Sequence, residues 1–185
     1  MRRLALLLLV VVPAAAWALV KPVRVVAPTL VGISCPTASV CVDDLSNLTA
    51  AEHLYAESLT FVSHQVSPLA GKPKVIFCSS EACASSFGLG SRSAVTVGTV
   101  GAVIGPRAWK SHYVRHELIH QLQVQQLGVV SLLFKPSWFV KGMAYSLSQD
   151  PRQPLAEPFE GYRLRFLAWH HEVGKAKLWQ EARAL

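Results

Sequence analysis

The sequence predicts an α+β fold, and three observations carry that expectation. Short β-branched apolar runs occupy the middle of the chain, four stretches repeat apolar residues at helical spacing, and the four cysteines fall as two close pairs.

Composition bounds the function classes. The chain has 185 residues, and beyond the first twenty the remainder is the size of one compact unit. Hydrophobic residues make up 51% and charged residues 16%, which excludes a disordered chain. The formal net charge is +7, yet Lys and Arg are scattered and no basic run interleaves with aromatics. No nucleic-acid partner is therefore expected. The positive charge instead suits anionic envelope components or acidic substrates, through an attraction that salt screens.

The N-terminus predicts export. Met1-Arg2-Arg3 is a short basic region, Leu4 to Val12 is an unbroken apolar run, and Ala16-Trp17-Ala18 is a small-x-small cleavage pattern. Residues 1–20 are thus expected to be a signal peptide or, because Leu4 to Val20 carries no charge, an N-terminal membrane anchor. Both alternatives put residues 21–185 outside the cytoplasm, with membrane association possible through the N-terminal segment. In that oxidising compartment Cys35 with Cys41 and Cys78 with Cys83 are expected as two local disulfides, since short loops close most readily. A zinc-thiolate site is the alternative, but the spacings lack the tight CxxC knuckle.

Lys21 to Val31, rich in Val and Pro, is expected to be extended. Asp43 to Asn47 offers helix caps, and Leu48, Leu54, Tyr55, Leu59 and Val62 recur at helical spacing, giving a first helix that Pro68 and Gly71 end. Pro73 to Cys78 predicts a short buried strand, and Ser79 to Ser93 a loop. Ala94 to Thr99 and Val100 to Gly105 predict one bent strand or two joined by a kink, with Gly98 and Gly101 permitting close backbone approach. A helix follows from about Arg107 to Gly128, with Val114, Leu118, Ile119 and Leu122 on its apolar face. Val129 to Lys135 is a loop or apolar continuation. Pro136-Ser137 starts a helix from Trp138 to about Ser148, and a last amphipathic helix runs from around Pro158 toward the C-terminus.

The chemistry lies in His116-Glu117-Leu118-Ile119-His120. Residues four apart share one helix face, so His116 and His120 can offer two imidazole nitrogens to one Zn2+ ion. Glu117 sits at the edge of that face, placed to act as a general base toward a metal-activated water. With only seven histidines in the chain an accidental HExxH is rare, although an ordinary solvated helix face can carry the same letters.

With this motif the chain resembles the zincin metallopeptidases, and among them the small gluzincin-like families with a minimal catalytic domain. In those families a downstream helix begins Pro-x-Trp-x-x-Glu-Gly-x-Ala, and its Glu is the third zinc ligand. Here Pro136, Trp138, Gly142 and Ala144 match, and Lys141 stands in the Glu position. The resemblance covers roughly residues 74 to 150 and implies a zincin-like domain over 21–185. It implies a small mixed sheet, an edge strand at Gly98 to Ile104 over the active-site helix, and a second packed helix. An ammonium donates hydrogen bonds and does not ordinarily ligate zinc, whereas catalytic sites use three protein ligands.

The substitutes are weak. His112 continues the series of histidines, but eight helical residues span about 12 Å, too far for the outer two rings to share one ion. Asp150 would need a chain reversal, and Glu157, Glu160, His170, His171 and Glu172 would need tertiary folding to reach the motif. Trp138, Met143 and Tyr145 read as helix packing, and His170-His171 as a solvated face. Asn47-Leu48-Thr49 has the form of a glycosylation sequon.

Two functions follow. The first is an exported zinc-dependent peptidase acting on a peptide or protein substrate, with His116 and His120 as metal ligands and Glu117 as catalytic base. The alternative is an inactive pseudoenzyme of the same fold that grips an extended peptide as a binding or envelope module, and Lys141 is the residue that favours it.

Overall fold

The computed structural model describes residues 12, 15–17 and 19–185, so the leader expected over residues 1–20 lies largely outside the described residues. Four strands form one mixed sheet: β1 (Val40–Val42), β2 (Val75–Phe77), β3 (Ala94–Val97) and β4 (Gly101–Ile104), in the order β1-β2-β4-β3. β1 runs parallel to β2 and β2 parallel to β4, with Val75 opposite Ala102 and Phe77 opposite Ile104. β3 and β4 are antiparallel, with Thr96 opposite Ala102. The helices are α1 (Leu48–Gln65), α2 (Glu81–Ser86), α3 (Ser111–Leu127), α4 (Val129–Phe134), α5 (Ser137–Leu147), α6 (Phe159–Val173) and α7 (Leu178–Ala184). The α+β expectation is met.

Both faces of the sheet are covered, which explains why its inner strands are continuously apolar rather than alternating. Val40, Val42, Val75, Phe77, Ala102 and Ile104 face one way, into a core with Tyr55, Leu118, Ile119, Phe139, Met143 and Phe166 from the helices. Cys41, Ile76 and Val103 face the other way, into a smaller core with Val25, Ile33, Phe87 and Leu89. Cys35–Cys41 and Cys78–Cys83 are both disulfides, and their sulfurs lie in this second core. Such bonds persist in oxidising, extracytoplasmic surroundings. Among the described residues no helix is long and apolar enough to cross a membrane.

Several expectations are corrected. Lys21 to Val31 is not extended but forms two 3-10 turns, Lys21–Val26 and Pro28–Val31; each has a proline in its first positions, where a fixed φ and a missing N–H cost nothing. Within the expected loop Ser79 to Ser93, α2 forms because Ser80 caps it, its side chain accepting from the Cys83 N–H at 3.2 Å. Asp43 holds that cap in place, accepting from the main-chain N–H groups of Ser79 and Ser80 at 2.7 and 3.0 Å.

The third correction bears on function. The edge strand is not Gly98 to Ile104; Gly101–Ile104 is an interior strand flanked by β2 and β3, and the free edge belongs to Ala94–Val97. The kink is a tight reversal through Gly98, which has φ +47°. Gly101 does permit close approach, since a Cβ there would lie 2.5 Å from the Lys74 carbonyl oxygen.

The C-terminal half is helical. The helix after Pro106 begins only at Ser111, following a 3-10 turn at Pro106–Ala108. Val129 to Phe134 is a short helix, α4, cut from α3 by Gly128 at φ +82°. The last helix is interrupted at Gly174, φ +72°, giving α6 and α7. α5 and α6 pack closely at Gly142, where an added Cβ would stand 2.2 Å from the Tyr162 carbonyl oxygen and 2.8 Å from the Phe166 Cβ.

Gly142→Ala should therefore destabilise the fold. The helix-propensity gain of about 1 kcal/mol is outweighed by overpacking against backbone, leaving a net loss of about 1–3 kcal/mol in chemical denaturation. An unchanged or raised midpoint would show that α5 and α6 are not in this contact.

Candidate active site

α3 supplies the motif, and it is buried on more than its apolar stripe. Val114, Leu118, Ile119 and Leu122 are fully buried against the sheet and α1, while Glu117, His120, Gln121 and Gln123 are also buried. Buried polar groups need partners, and each of these four has one. The Gln121 amide donates to the Gly101 carbonyl at 2.8 Å and ties the helix to β4. The Gln123 amide donates to the Val140 carbonyl at 3.0 Å and ties it to α5.

The same Gln123 fixes His120. Because its NH2 is committed to Val140, its Oε1 faces the His120 ring, 2.8 Å from Nδ1. Nδ1 must then carry the hydrogen, and Nε2 is left as a bare lone pair. That Nε2 is buried and has no hydrogen-bond partner among the described residues. Burial and the charge of Lys141 push the His120 pKa down to about 4, so the ring is neutral in any ordinary buffer.

His116 lies one turn earlier, its ring centroid 4.8 Å from that of His120 and 4.6 Å from that of Tyr145, edge-on to both. Burial, reinforced by the charges of His120 and Lys141, lowers its pKa well below the ordinary imidazole value. The motif therefore presents two neutral imidazoles side by side.

Glu117 meets the edge strand. The Thr96 hydroxyl lies 2.7 Å from Glu117 Oε2 and 3.0 Å from the Glu117 main-chain oxygen. Burial raises the carboxyl pKa to about 7, against the opposing effects of the Thr96 hydrogen bond and the charges of Lys141 and Arg92. A single hydroxyl serves both protonation states. It donates to the carboxylate when Glu117 is ionised, and when Glu117 is protonated it accepts from the carboxyl and donates to the main-chain oxygen.

These groups share a cavity of about 660 Å3, bounded by β3 and the segment before it, α3, α4, α5 and the start of α6. Val124, Val129, Leu132, Leu133 and Val140 give it an apolar wall; Arg92, Lys141 and Arg152 bring positive charge. Lys141 projects into this cavity from the position where the resemblance expects a third ligand.

No third ligand is assembled. Among the described residues no group of three or more His, Cys, Asp or Glu side chains is placed to hold a metal ion. Asp150 pairs with Arg152, which donates from Nε at 2.8 Å. Burial disfavours that carboxylate, but the Arg152 hydrogen bonds and charge prevail and hold its pKa below the usual range. Glu160 pairs with Arg163, Glu157 accepts from the Gly161 N–H, and His170 stacks on Phe166. His171 and Glu172 are exposed, and His112 packs on Tyr113 instead of joining the pair.

Trp138 and Met143 are packing residues, as expected. Tyr145 packs α5 against α3 as expected, its ring on that of His116, and it also lines the cavity, four residues after Lys141 on the same helix face. Gln123, three residues after His120, was legible in the same way. Thr96 had no local signal, because its role arises from a contact 21 residues away in sequence. A scan against protein-family models and searches of curated proteins and solved structures find no match to the chain.

The Glu117 pKa carries a stability consequence in metal-free protein. A folded-state value near 7 exceeds the ordinary 4.5, so this group's stabilising contribution is complete below about pH 4.5 and is lost as pH rises through 7. Glu117→Gln, which cannot ionise, should gain about 2–3 kcal/mol relative to wild type between pH 5 and pH 8 in urea titrations with chelator present. A difference that does not move with pH would sink the assignment.

Proposed function

We propose that the chain is an extracytoplasmic, zincin-like, zinc-dependent peptidase domain. In this reading His116 and His120 hold Zn2+, Glu117 is the catalytic base, and a peptide lies along the free edge of β3. The observation that carries the reading is the unpartnered, buried Nε2 of His120. Leaving an acceptor unpaired in the interior costs about 1–3 kcal/mol, and here it accompanies a hydrogen bond to Gln123 that fixes the opposite nitrogen as donor. That combination is how proteins orient an imidazole toward a metal.

Bound zinc would supply Lewis acidity, polarising a peptide carbonyl and acidifying water. The remaining work falls to the chain. Glu117, with a pKa near 7, is suited to take a proton from water in the cavity and return it to the departing amine. Thr96 adjusts its hydrogen bond to either state of that carboxyl. β3 offers unpaired main-chain N–H and C=O groups to an extended peptide, and α4 and the start of α6 flank the cavity. Tyr145, edge-on to His116, restrains that ring.

Lys141 favours a second reading, in which the same cleft grips a peptide without cutting it. With an ammonium in place of the third ligand, no set of three metal donors is assembled among the described residues, where catalytic zinc sites have three. Metal content separates the readings. One equivalent of zinc retained after dialysis, with peptide hydrolysis that Glu117→Gln abolishes while zinc remains, supports the peptidase; a metal-free, inactive domain leaves the peptide-gripping module.

Lys141→Glu adds the missing carboxylate on the cavity side of α5 and removes a repelling charge. Zinc affinity by competition with a chromophoric chelator should rise at least about tenfold. No change would mean that position 141 does not reach the metal site.

A further inference from the structure

The cavity's charge is one-sided. Three cationic side chains line it, Arg92, Lys141 and Arg152, against one acid, Glu117. Arg152 is neutralised by Asp150. Arg92 donates to the carbonyls of Gly88 and Leu89 and has no carboxylate partner among the described residues. Lys141 lines the cavity and forms no ion pair or hydrogen bond among the described residues. An unpaired ammonium at the rim of a low-dielectric cavity is the complement of an anion.

From this placement we infer that Lys141 anchors a carboxylate of the peptide bound in the cleft, with Arg92 as the second cation facing it. The inference rests on the reading of this cavity as a peptide cleft and narrows its ligand to peptides bearing a carboxylate near the motif. Two sources share that chemistry: an Asp or Glu side chain, and a free C-terminus. The apolar wall formed by Val124, Val129, Leu132, Leu133 and Val140 adds a requirement for aliphatic residues beside the anionic group. α4 extends that wall to the surface, with Leu133 and Phe134 76% and 82% exposed.

The position explains how a cation can stand where the resembling families carry a ligand. A Glu at 141 would neutralise part of a metal's charge and leave the cleft indifferent to the peptide's own charge. A Lys at 141 reverses the local field and makes the peptide supply the negative charge. Because Lys141 is exposed on α5, its replacement leaves the core untouched.

The test is calorimetric titration of the full chain, with chelator and again with one equivalent of zinc. Three hexapeptides of Ala, Val and Gln are compared: acetylated and amidated; acetylated with a free C-terminus; and acetylated and amidated with one internal Asp. One carboxylate peptide should bind about tenfold more tightly than the neutral one, in both metal conditions, and the winner identifies the source. Lys141→Met should reduce that peptide to the neutral level without weakening the neutral one, and Lys141→Arg should retain the preference. Equal binding of all three peptides, or a preference that survives Lys141→Met, overturns the inference while leaving the peptide cleft standing. A preference that appears only with zinc assigns the carboxylate to the metal and overturns it too. If none of the three binds, the peptide-cleft reading itself fails.

Discussion

The site depends on α3 being pressed against the β3–β4 hairpin closely enough to bury Glu117, His120, Gln121 and Gln123. Val114, Leu118, Ile119 and Leu122 provide the apolar contact, but apolar contact does not set rotation about a helix axis to within a few degrees. The hydrogen bonds do. Gln121 reaches the Gly101 carbonyl, Thr96 reaches Glu117 from the neighbouring strand, and Gln123 reaches the Val140 carbonyl on α5. These bonds, two to the β3–β4 hairpin and one to α5, hold the helix in an orientation that delivers both imidazoles and the carboxyl to one cavity.

The sheet supplies the rigidity behind this arrangement. It is only four short strands, yet both of its faces are covered. The helices pack on one side, and on the other lie the two 3-10 turns, α2 and both disulfides. Gly101 keeps β4 close to the Lys74 carbonyl, where any side chain would force the strands apart. β3 is therefore held along one edge only, and its opposite edge stays free beside the cavity. Among the described residues no strand pairs with the outer edge of β3; such an edge is ordinarily a liability, and this one is only four residues long.

Local patterns carried much of this and long-range contacts did not. The spacing of His116 and His120, the apolar face of α3, the helix opening at Pro136 and the neighbour pairing of the cysteines are all properties of residues a few positions apart. The strand Val40–Val42 carries little local signature, because its apolar run is three residues long with a disulfide cysteine at its centre. α2 was obscured by serines that suggest a loop, although Ser80 is a helix cap. The edge strand was misplaced by a few residues because Ala94–Val97 and Gly101–Ile104 are alike in composition. Only the pairing of β4 with β2 decides which becomes interior. Thr96, Arg92 and Arg152 reach the cavity through tertiary folding alone, and no periodicity announces them.

Electrostatics then distinguishes this cleft from the families its motif resembles. Burial keeps both imidazoles neutral and raises the Glu117 carboxyl to about 7, so the motif contributes at most one negative charge near neutral pH. In a site with a carboxylate at 141, a divalent cation would meet two negative charges and be fully balanced. With Lys141, and with Arg92 bound only to carbonyls, the described lining contributes two unpaired positive charges and at most one negative, and a divalent cation would leave the cavity with a net excess of about three. Such an excess beside the cavity's apolar wall is costly, and counter-charge from outside the chain reduces that cost. Metal and an anionic peptide would each favour the other's binding by the same free energy. In the proposed reading, the charge at position 141 would tie metal occupancy to the charge of the peptide.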